Sequence, residues 1–315
     1  MISSRLLDSE TVALENDALA LQVTRSFGPR ILSLRLRGGE NLFAEVPHLV
    51  LECPGKGAYR LAGGHRLWHA PEDPAITYLP DDRPVEIASD LWTLQVTQPV
   101  EPGTGIQKTI LIHLLEDRPA VIIEHILSNL GSVSVVCAPW AITMMKPGGV
   151  SILPQNKNRA DEAGVLPNRS LAFWPYTDPA SSHITWGKNA VLVHADLASK
   201  AEKLKLGFPN PRGWLAYHRQ DTLFVKTACY DPEKPYYDFN TSSQVYCEAD
   251  FIELETLGPQ VTLSPGGSVT HTEAWHVFAG IRFKPEDGAV QSLAEELCLD
   301  ELAGSFVEWR DKIHS

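Results

Sequence analysis

The sequence contains no long apolar run, no closely spaced cysteine pair and no cluster of basic residues. A membrane-spanning helix needs roughly 18 or more consecutive apolar residues, and no stretch approaches that length. The N-terminus passes from Met1 to the acidic Asp8 and Glu10 without an apolar segment. It therefore predicts no secretory signal peptide, and we expect a cytoplasmic protein with no membrane partner.

The five cysteines are an odd and scattered set, at positions 53, 137, 229, 247 and 298. Such a distribution is typical of reduced, free thiols in the cytoplasm. No motif with zinc-ligand spacing or cofactor-binding character is present, so we expect no metal and no cofactor. A cation held by loop carbonyls and carboxylates would, however, leave little trace in a sequence.

The charge is acidic, with 39 Asp and Glu residues against 27 Lys and Arg residues and a formal net charge of −12. An acidic surface repels phosphate backbones and anionic lipid headgroups. The composition therefore argues against a nucleic-acid partner and leaves a small molecule as the expected ligand.

From Thr11 to about Phe283 the chain consists of short β-branched or alternating runs separated by Gly, Pro, Asn and Asp. Strands at this spacing without intervening helices predict a mainly β sandwich or barrel. Although the chain has 315 residues, large all-β folds reach this length as one unit, so we expect a single domain over residues 1–315.

A helical pattern is confined to the C-terminus. Val290, Leu293, Ala294 and Leu297 recur at helical spacing after Pro285. We therefore predict a short helix over about residues 286–311 that covers part of a sheet.

Residues 148–188 are the least regular part of the chain, with four prolines and two tryptophans among polar residues. A loop of this length in a compact domain is usually a cover or a binding loop.

The strongest candidate site is the segment DFIELETLGP at residues 250–259. In a strand, Phe251, Glu253, Glu255 and Leu257 share one face, and both faces carry apolar residues. Two carboxylates on such a face are costly unless they are paired or used. Close carboxylates raise one pKa, as acid–base catalysis needs, whereas ion pairs with Lys or Arg would make them structural.

A second candidate is residues 60–73, which combine Arg60, His65, Arg66, Trp68 and Glu72 around a Gly-Gly turn. Sugar sites combine an aromatic surface with forked donors and acceptors for hydroxyl groups. The same residues would also suit an ordinary polar loop.

A third candidate is residues 226–246, a segment rich in aromatic and polar groups. Lys226, Tyr237 and Asp238 are its candidate substrate-binding residues. Packing of tyrosines within a loop is the alternative interpretation.

These segments together resemble the galactose-mutarotase-like (aldose 1-epimerase-like) superfamily, in an uncharacterised bacterial branch. The resemblance is carried by LEN at 14–16, FGPRILSL at 27–34, GENLF at 39–43, GHRLW at 64–68, APWAIT at 138–143, LET at 254–256, LSPGGS at 263–268 and HTEAW at 271–275. It covers nearly the whole chain up to the C-terminal helix.

The resemblance implies a β-supersandwich that binds a sugar on the larger sheet. In mutarotases a glutamate removes the proton of the anomeric hydroxyl while a histidine protonates the ring oxygen. By motif position Glu255 is similar to that glutamate, with Glu253 as a close rival. His65 and Arg66 resemble the Arg/His pair that holds the sugar.

One departure from the family pattern affects the chemistry. The stretch comparable to the one with the catalytic histidine reads APWAITM at 138–144 and contains no histidine. His65 or His69 could substitute as the acid, with His65 the candidate catalytic residue, and Trp140 could stack on a sugar or pack in the core. We therefore expect a small-molecule carbohydrate ligand and either a sugar isomerase or a non-catalytic sugar-binding protein. A lyase or hydrolase is a third class.

Overall fold

The computed structural model describes residues 3–6, 10–53, 55–90, 93–116, 118–199 and 202–303. The strands of the first half are β1 (Ser3–Leu6), β2 (Thr11–Glu15), β3 (Leu19–Thr24), β4 (Arg30–Leu36), β5 (Glu45–Cys53), β6 (Gly57–Gly63), β7 (His65–Ala70), β8 (Glu86–Ser89), β9 (Thr93–Thr97), β10 (Ile106–Leu114), β11 (Ala120–Asn129) and β12 (Val135–Met145).

The strands of the second half are β13 (Val150–Pro154), β14 (Ala172–Phe173), β15 (Ile184–Trp186), β16 (Ala190–His194), β17 (Leu204–Phe208), β18 (Trp214–Arg219), β19 (Thr222–Ala228), β20 (Ser243–Glu248), β21 (Phe251–Leu257), β22 (Val261–Leu263) and β23 (Ser268–Phe278). The helices are α1 (Tyr237–Asn240) and α2 (Asp287–Glu296). In α1, Asp238 and Phe239 have left-handed backbone angles, so this element is one tight turn.

Two large sheets form the sandwich. The first has 11 strands in the order β1-β2-β3-β4-β7-β12-β21-β20-β17-β14, with β22 paired to β12. The second has 10 strands in the order β15-β16-β13-β18-β19-β23-β11-β10-β9-β8. Strands β5 and β6 form a separate hairpin. The mainly β prediction is confirmed.

The main core lies between the two large sheets. It joins Leu21 and Leu254 of the first sheet to Ile112 and Trp275 of the second. A second apolar cluster covers the opposite side of the first sheet, where Trp68 and Trp140 meet residues of the β5–β6 hairpin. We call that side the outer face of the first sheet, and the candidate site is built on it.

Helix α2 packs on the second sheet through Val290, Leu293 and Ala294, three residues of the predicted helical stripe. The helix stops at Glu296, and a short helical stretch follows up to residue 303. The rest of the predicted helix, residues 304–311, lies outside the described residues. Within the described part of the chain, no helix combines the length and apolar character needed to span a membrane.

Candidate functional site

Strand β21 presents its two glutamates on the outer face of the first sheet. Phe251 and Leu257 belong to the outer apolar cluster, whereas Ile252 and Leu254 belong to the core between the sheets. All seven residues of the strand are buried, as the apolar residues on both of its faces predicted. Because side chains alternate along a strand, Glu253 and Glu255 share the outer face with Phe251 and Leu257.

Strands β7 and β12 bring aromatic and basic groups beside these glutamates. Trp68 pairs with Trp140 across the two strands, and the indole rings meet edge to face at 5.4 Å between centroids. On the next rung of the same face, Arg66 lies opposite Ile142, which in turn lies opposite Glu255. The antiparallel register of three strands therefore assembles groups that are distant in sequence, such as Arg66 and Glu253, which are 187 residues apart.

These side chains line a cavity of about 310 Å³ on the outer face. Its lining residues are Leu51, Leu61, Arg66, Trp68, Glu72, Tyr78, Trp140, Tyr176, Lys203, Lys205, Tyr246, Glu248, Phe251 and Glu253. Six of these fourteen residues are aromatic and six are charged, and four of the charged ones lie on β7, β17, β20 and β21. This composition is typical of small-molecule sites.

Arg66 is held on two sides but keeps hydrogen-bonding capacity. Its Nη2 donates to Glu253 Oε1 at 2.8 Å, and its guanidinium stacks on Trp68 at 4.2 Å from the ring centroid. Its Nε and Nη1 are buried and have no hydrogen-bond partner. Buried donors without a partner are costly, so a ligand acceptor at this place would be stabilised.

Glu255 is fully buried and does not line the cavity, but it contacts two residues that do, Trp140 and Lys205. Its Oε2 accepts hydrogen bonds from Trp140 Nε1 at 2.7 Å and from Lys205 Nζ at 2.9 Å. Its Oε1 has no partner. Burial raises the pKa of Glu255 to about 7; the Lys205 ammonium opposes this rise and the nearby Glu253 adds to it.

Lys205 occupies an aromatic cage. Its Nζ lies 4.7 Å from the ring centroid of Trp140 and 4.8 Å from that of Trp174. Cation–π contacts of this kind attract the ammonium and hold it in position. Trp174 and the cavity-lining Tyr176 both come from the irregular segment 148–188, which we predicted to be a binding loop.

Carboxylates and phenols surround the cavity opening. Lys203 lies 3.6 Å from Glu248, which also accepts a hydrogen bond from the Tyr246 hydroxyl at 2.8 Å. The Tyr78 hydroxyl donates to Glu72. Burial is the main cause that raises the pKa of both tyrosines, so both hydroxyls are protonated donors at neutral pH.

The structure brings together six of the predicted site residues, namely Glu253, Glu255, Arg66, Trp68, Glu72 and Trp140. Arg60 lies on the other side of its strand and lines a separate cavity of about 500 Å³ with Asp81 and Asp82. Tyr237 packs at the edge of the outer apolar cluster, and Asp238 accepts a hydrogen bond from Gln244. Neither lines the cavity.

His65 is not in the cavity, although it was the candidate acid. It precedes Arg66 in β7, so its side chain points to the opposite face, between the sheets. There its Nδ1 contacts Thr143 Oγ1 at 2.9 Å and its Nε2 contacts His125 Nε2 at 2.7 Å. Burial holds the pKa of His65 well below its usual value. A ligand in the cavity would not contact this imidazole.

Lys226 also lies in the interior rather than in a binding loop. It belongs to β19 of the second sheet, and its Nζ lies 2.9 Å from Glu273. The same ammonium donates to the carbonyl oxygens of Ala141 and Leu254 at 3.3 and 3.0 Å. Lys226 therefore ties the second sheet to the two strands that carry Trp140 and Glu255.

Among the described residues, one group has metal-ligand spacing: His65, His125 and Glu273, whose ligand atoms all lie within 4.8 Å of one another. Glu273 is already ion-paired to Lys226, and the two histidines contact each other. The ammonium of Lys226 thus supplies the positive charge beside this carboxylate.

Sequence reasoning did not select Lys205, Tyr176 or Tyr246. A signal for Lys205 exists, because Lys203-Leu204-Lys205-Leu206 alternates with the period of a strand and places both lysines on one face. Their neighbours could not be read from the sequence, because β17 meets β20 and β21 only through the sheet register.

No protein-family model matches this sequence, and no curated protein matches it. Solved structures do resemble it. A candidate aldose 1-epimerase from Klebsiella pneumoniae has a TM-score of 0.59 at 10% identity, over 96% of this chain and 87% of that one. A galactose mutarotase-like protein from Lactobacillus casei has a TM-score of 0.52 at 9% identity, over 85% and 100%.

A TPR-domain containing protein from Parabacteroides distasonis has a TM-score of 0.57 at 13% identity. This match covers 89% of the present chain but only 50% of the other, so the present chain corresponds to about half of that protein. At these identities the likeness concerns the fold. The two-sheet architecture and these neighbours together show that the chain has the galactose mutarotase-like fold.

Proposed function

We propose that the protein binds a carbohydrate ring in the outer-face cavity. The observation that carries this proposal is the combination of aromatic walls with buried polar atoms that lack partners. Among the described residues, two donor nitrogens of the cavity-lining Arg66 have no partner, and neither has one oxygen of Glu255, which is buried against the lining residues Trp140 and Lys205. Sugar hydroxyls both donate and accept, and the C–H faces of a sugar ring pack on aromatic rings, so one sugar would satisfy both features.

The charges favour a neutral sugar over a sugar acid or sugar phosphate. Each cation that lines the cavity is already paired: Arg66 with Glu253, Lys205 with Glu255 and Lys203 with Glu248. An anionic ligand would have to displace a carboxylate from one of these pairs, and Glu72 at the opening adds a further acidic group. A neutral polyol can bridge both partners of a pair without this cost.

Calorimetric titration with a panel of neutral aldoses, sugar acids and sugar phosphates tests the proposal. We expect millimolar or tighter binding of a neutral sugar. Tyr176→Ala removes an exposed part of the aromatic wall and should weaken that binding about tenfold, the equivalent of about 1.4 kcal/mol.

Trp186→Ala is the matched control, because Trp186 is a similarly exposed aromatic residue on β15 of the other sheet. It should leave sugar affinity unchanged. Absence of binding by every sugar, or equal weakening by both variants, would contradict the location of the site.

A second candidate function is interconversion of the two anomers of the bound sugar. It is favoured by Glu255, whose pKa of about 7 suits a group that takes up and returns a proton at neutral pH. The names of similar structures include aldose 1-epimerase, and the sequence resemblance gives Glu255 the role of the base. A sugar-binding protein without catalysis is the competing function, since the part of the chain that the structure describes contributes no histidine to the cavity lining.

Glu255→Gln separates these two functions. If the protein interconverts anomers, this variant should lower the rate by about 10²–10⁴, because an amide cannot accept the proton. The measurement is magnetisation transfer between anomers by NMR, with Glu286→Gln, an exposed glutamate on the far side of the sandwich, as the control. A wild-type protein that binds sugar without any rate enhancement would assign it to the non-catalytic class.

A further inference from the structure

Glu255, the candidate base, is fully buried against Trp140 and Lys205 and is not itself a lining residue of the cavity. The described residues that line the cavity include no histidine, the conventional partner of such a base. Anomer interconversion requires a proton donor to the ring oxygen as well as a base for the anomeric hydroxyl. The ionisable donor closest to the base is Lys205, whose Nζ is 2.9 Å from Glu255 Oε2.

We propose that Lys205 is the catalytic acid of this site and takes the place of the missing histidine. This inference rests on the second candidate function above and names the group that completes it. Lys205 lines the cavity, so a bound sugar would contact its ammonium. The rings of Trp140 and Trp174 hold that ammonium at 4.7 and 4.8 Å, which fixes its place relative to the sugar.

Lys205 and Glu255 together supply and take up every proton that the step moves. The Glu255 carboxylate accepts the proton of the anomeric hydroxyl while the Lys205 ammonium donates a proton to the ring oxygen. The bond between the anomeric carbon and the ring oxygen breaks, and an open-chain aldehyde forms. After rotation of the aldehyde group, ring closure on its other face returns one proton to Lys205 and removes one from Glu255.

The contact between the two groups fits this reaction, because the anomeric and ring oxygens are bonded to the same carbon. Glu255 is fully buried and does not line the cavity, so the anomeric hydroxyl reaches its carboxylate once Lys205 parts from it, and the two groups then contact two oxygens bonded to one carbon. The step also converts an ion pair into a neutral pair. In a site where Glu255 is fully buried and Lys205 nearly so, this change avoids creating a new unpaired charge.

The other donors in the cavity are less suited to the role. Arg66 is a guanidinium and stays protonated, so it can bind but not release a proton. Burial raises the pKa of Tyr176 and makes its hydroxyl a weaker acid. The Lys203 side chain is 47% exposed and lies towards Glu248 at the opening. Lys205 alone among these contacts Glu255.

Two substitutions test the proposal. Lys205→Arg keeps the positive charge beside Glu255 but replaces a group that can release a proton with one that cannot. We expect it to retain sugar affinity within about tenfold and to lose about 10²–10⁴ in the rate of anomer interconversion. Lys205→Ala should lose the rate as well, and added methylammonium should restore part of it by entering the space that the side chain vacates.

Lys284→Met, a change of an exposed lysine outside the site, serves as the control and should keep the wild-type rate. Rescue of Lys205→Ala by methylammonium together with loss of rate in Lys205→Arg would support the proposal, because the arginine keeps the positive charge beside Glu255 whereas only the amine can release a proton. Full rate in Lys205→Arg would overturn the proposal while leaving sugar binding intact. Failure of wild type to bind any sugar would instead overturn the proposed function and this inference with it.

Discussion

Lys226→Met is expected to lower the free energy of unfolding by about 3–5 kcal/mol, because it leaves the buried Glu273 carboxylate without its counter-charge. Both side chains are completely buried, and the Nζ to Oε1 distance is 2.9 Å. The change also frees the carbonyl oxygens of Ala141 and Leu254, which the ammonium now satisfies. Urea denaturation followed by tryptophan fluorescence measures the loss.

The double variant Lys226→Met/Glu273→Gln should recover part of this stability, since it removes both buried charges while the amide can still bond to Thr256 and Trp275. Lys284→Met, at an exposed site, should change stability by less than about 0.5 kcal/mol. A single variant Lys226→Met as stable as this control would show that the ammonium does not compensate Glu273.

The same burial explains why the role of Lys226 as the counter-charge of Glu273 could not be predicted from the sequence. Residues 222–228 read as a strand, and a lysine in a strand is normally exposed or functional. The alternative, a lysine that neutralises a glutamate on the neighbouring strand β23, depends on the register between β19 and β23. That register is a tertiary property and leaves no local signature.

His65 shows a different limit of prediction from the sequence. The sequence placed His65 and Arg66 together as one sugar-holding pair, yet adjacent residues in a strand face opposite sides of the sheet. Since Arg66 lies on the outer face, His65 must lie in the interior, where it contacts Thr143 and His125. The alternation was readable, but which face carries the cavity was not.

The predictions that succeeded depend on local periodicity. Glu253 and Glu255 share a face with Phe251 and Leu257 because the strand has a period of two. The mainly β architecture followed from the spacing of short runs and turns. Lys205 comes close to these glutamates only because β21, β20 and β17 are neighbours in the sheet. Its pairing with Glu255 therefore depends on the strand order and could not be predicted from local periodicity.

Acid is expected to unfold the protein as the pH falls below about 6.5, the range where histidines in the unfolded chain take up protons. Burial lowers the pKa of His125 and His271 to about 3 and holds that of His65 well below its usual value. These three imidazoles stay neutral in the folded state while the unfolded chain binds protons. Their contribution to stability is therefore present above about pH 6.5 and is lost as the pH falls towards 3.

Glu255 changes the pH dependence of stability in the opposite direction to the histidines. Its folded-state pKa of about 7 exceeds the unfolded value, so its contribution is present at acidic pH and is lost as the pH rises through 7. Each group changes the free energy of unfolding by at most about 1.4 kcal/mol per pH unit. Burial also lowers the pKa of His276, to about 4. Four histidines against one glutamate therefore give a net loss of up to about 4 kcal/mol per unit below pH 6.5.

Urea denaturation at a series of pH values between 7 and 4 measures this slope. His271→Gln should reduce the slope by about 1.4 kcal/mol per pH unit, because it removes one of the four imidazoles whose pKa burial lowers. His48→Gln, at an exposed histidine on the β5–β6 hairpin, should leave it unchanged. A stability that stays flat from pH 7 to pH 5 would mean that the interior histidines are protonated in the folded state. In that case Glu273, whose carboxylate lies within 4.8 Å of His65 and His125, would have to compensate a histidine as well as Lys226.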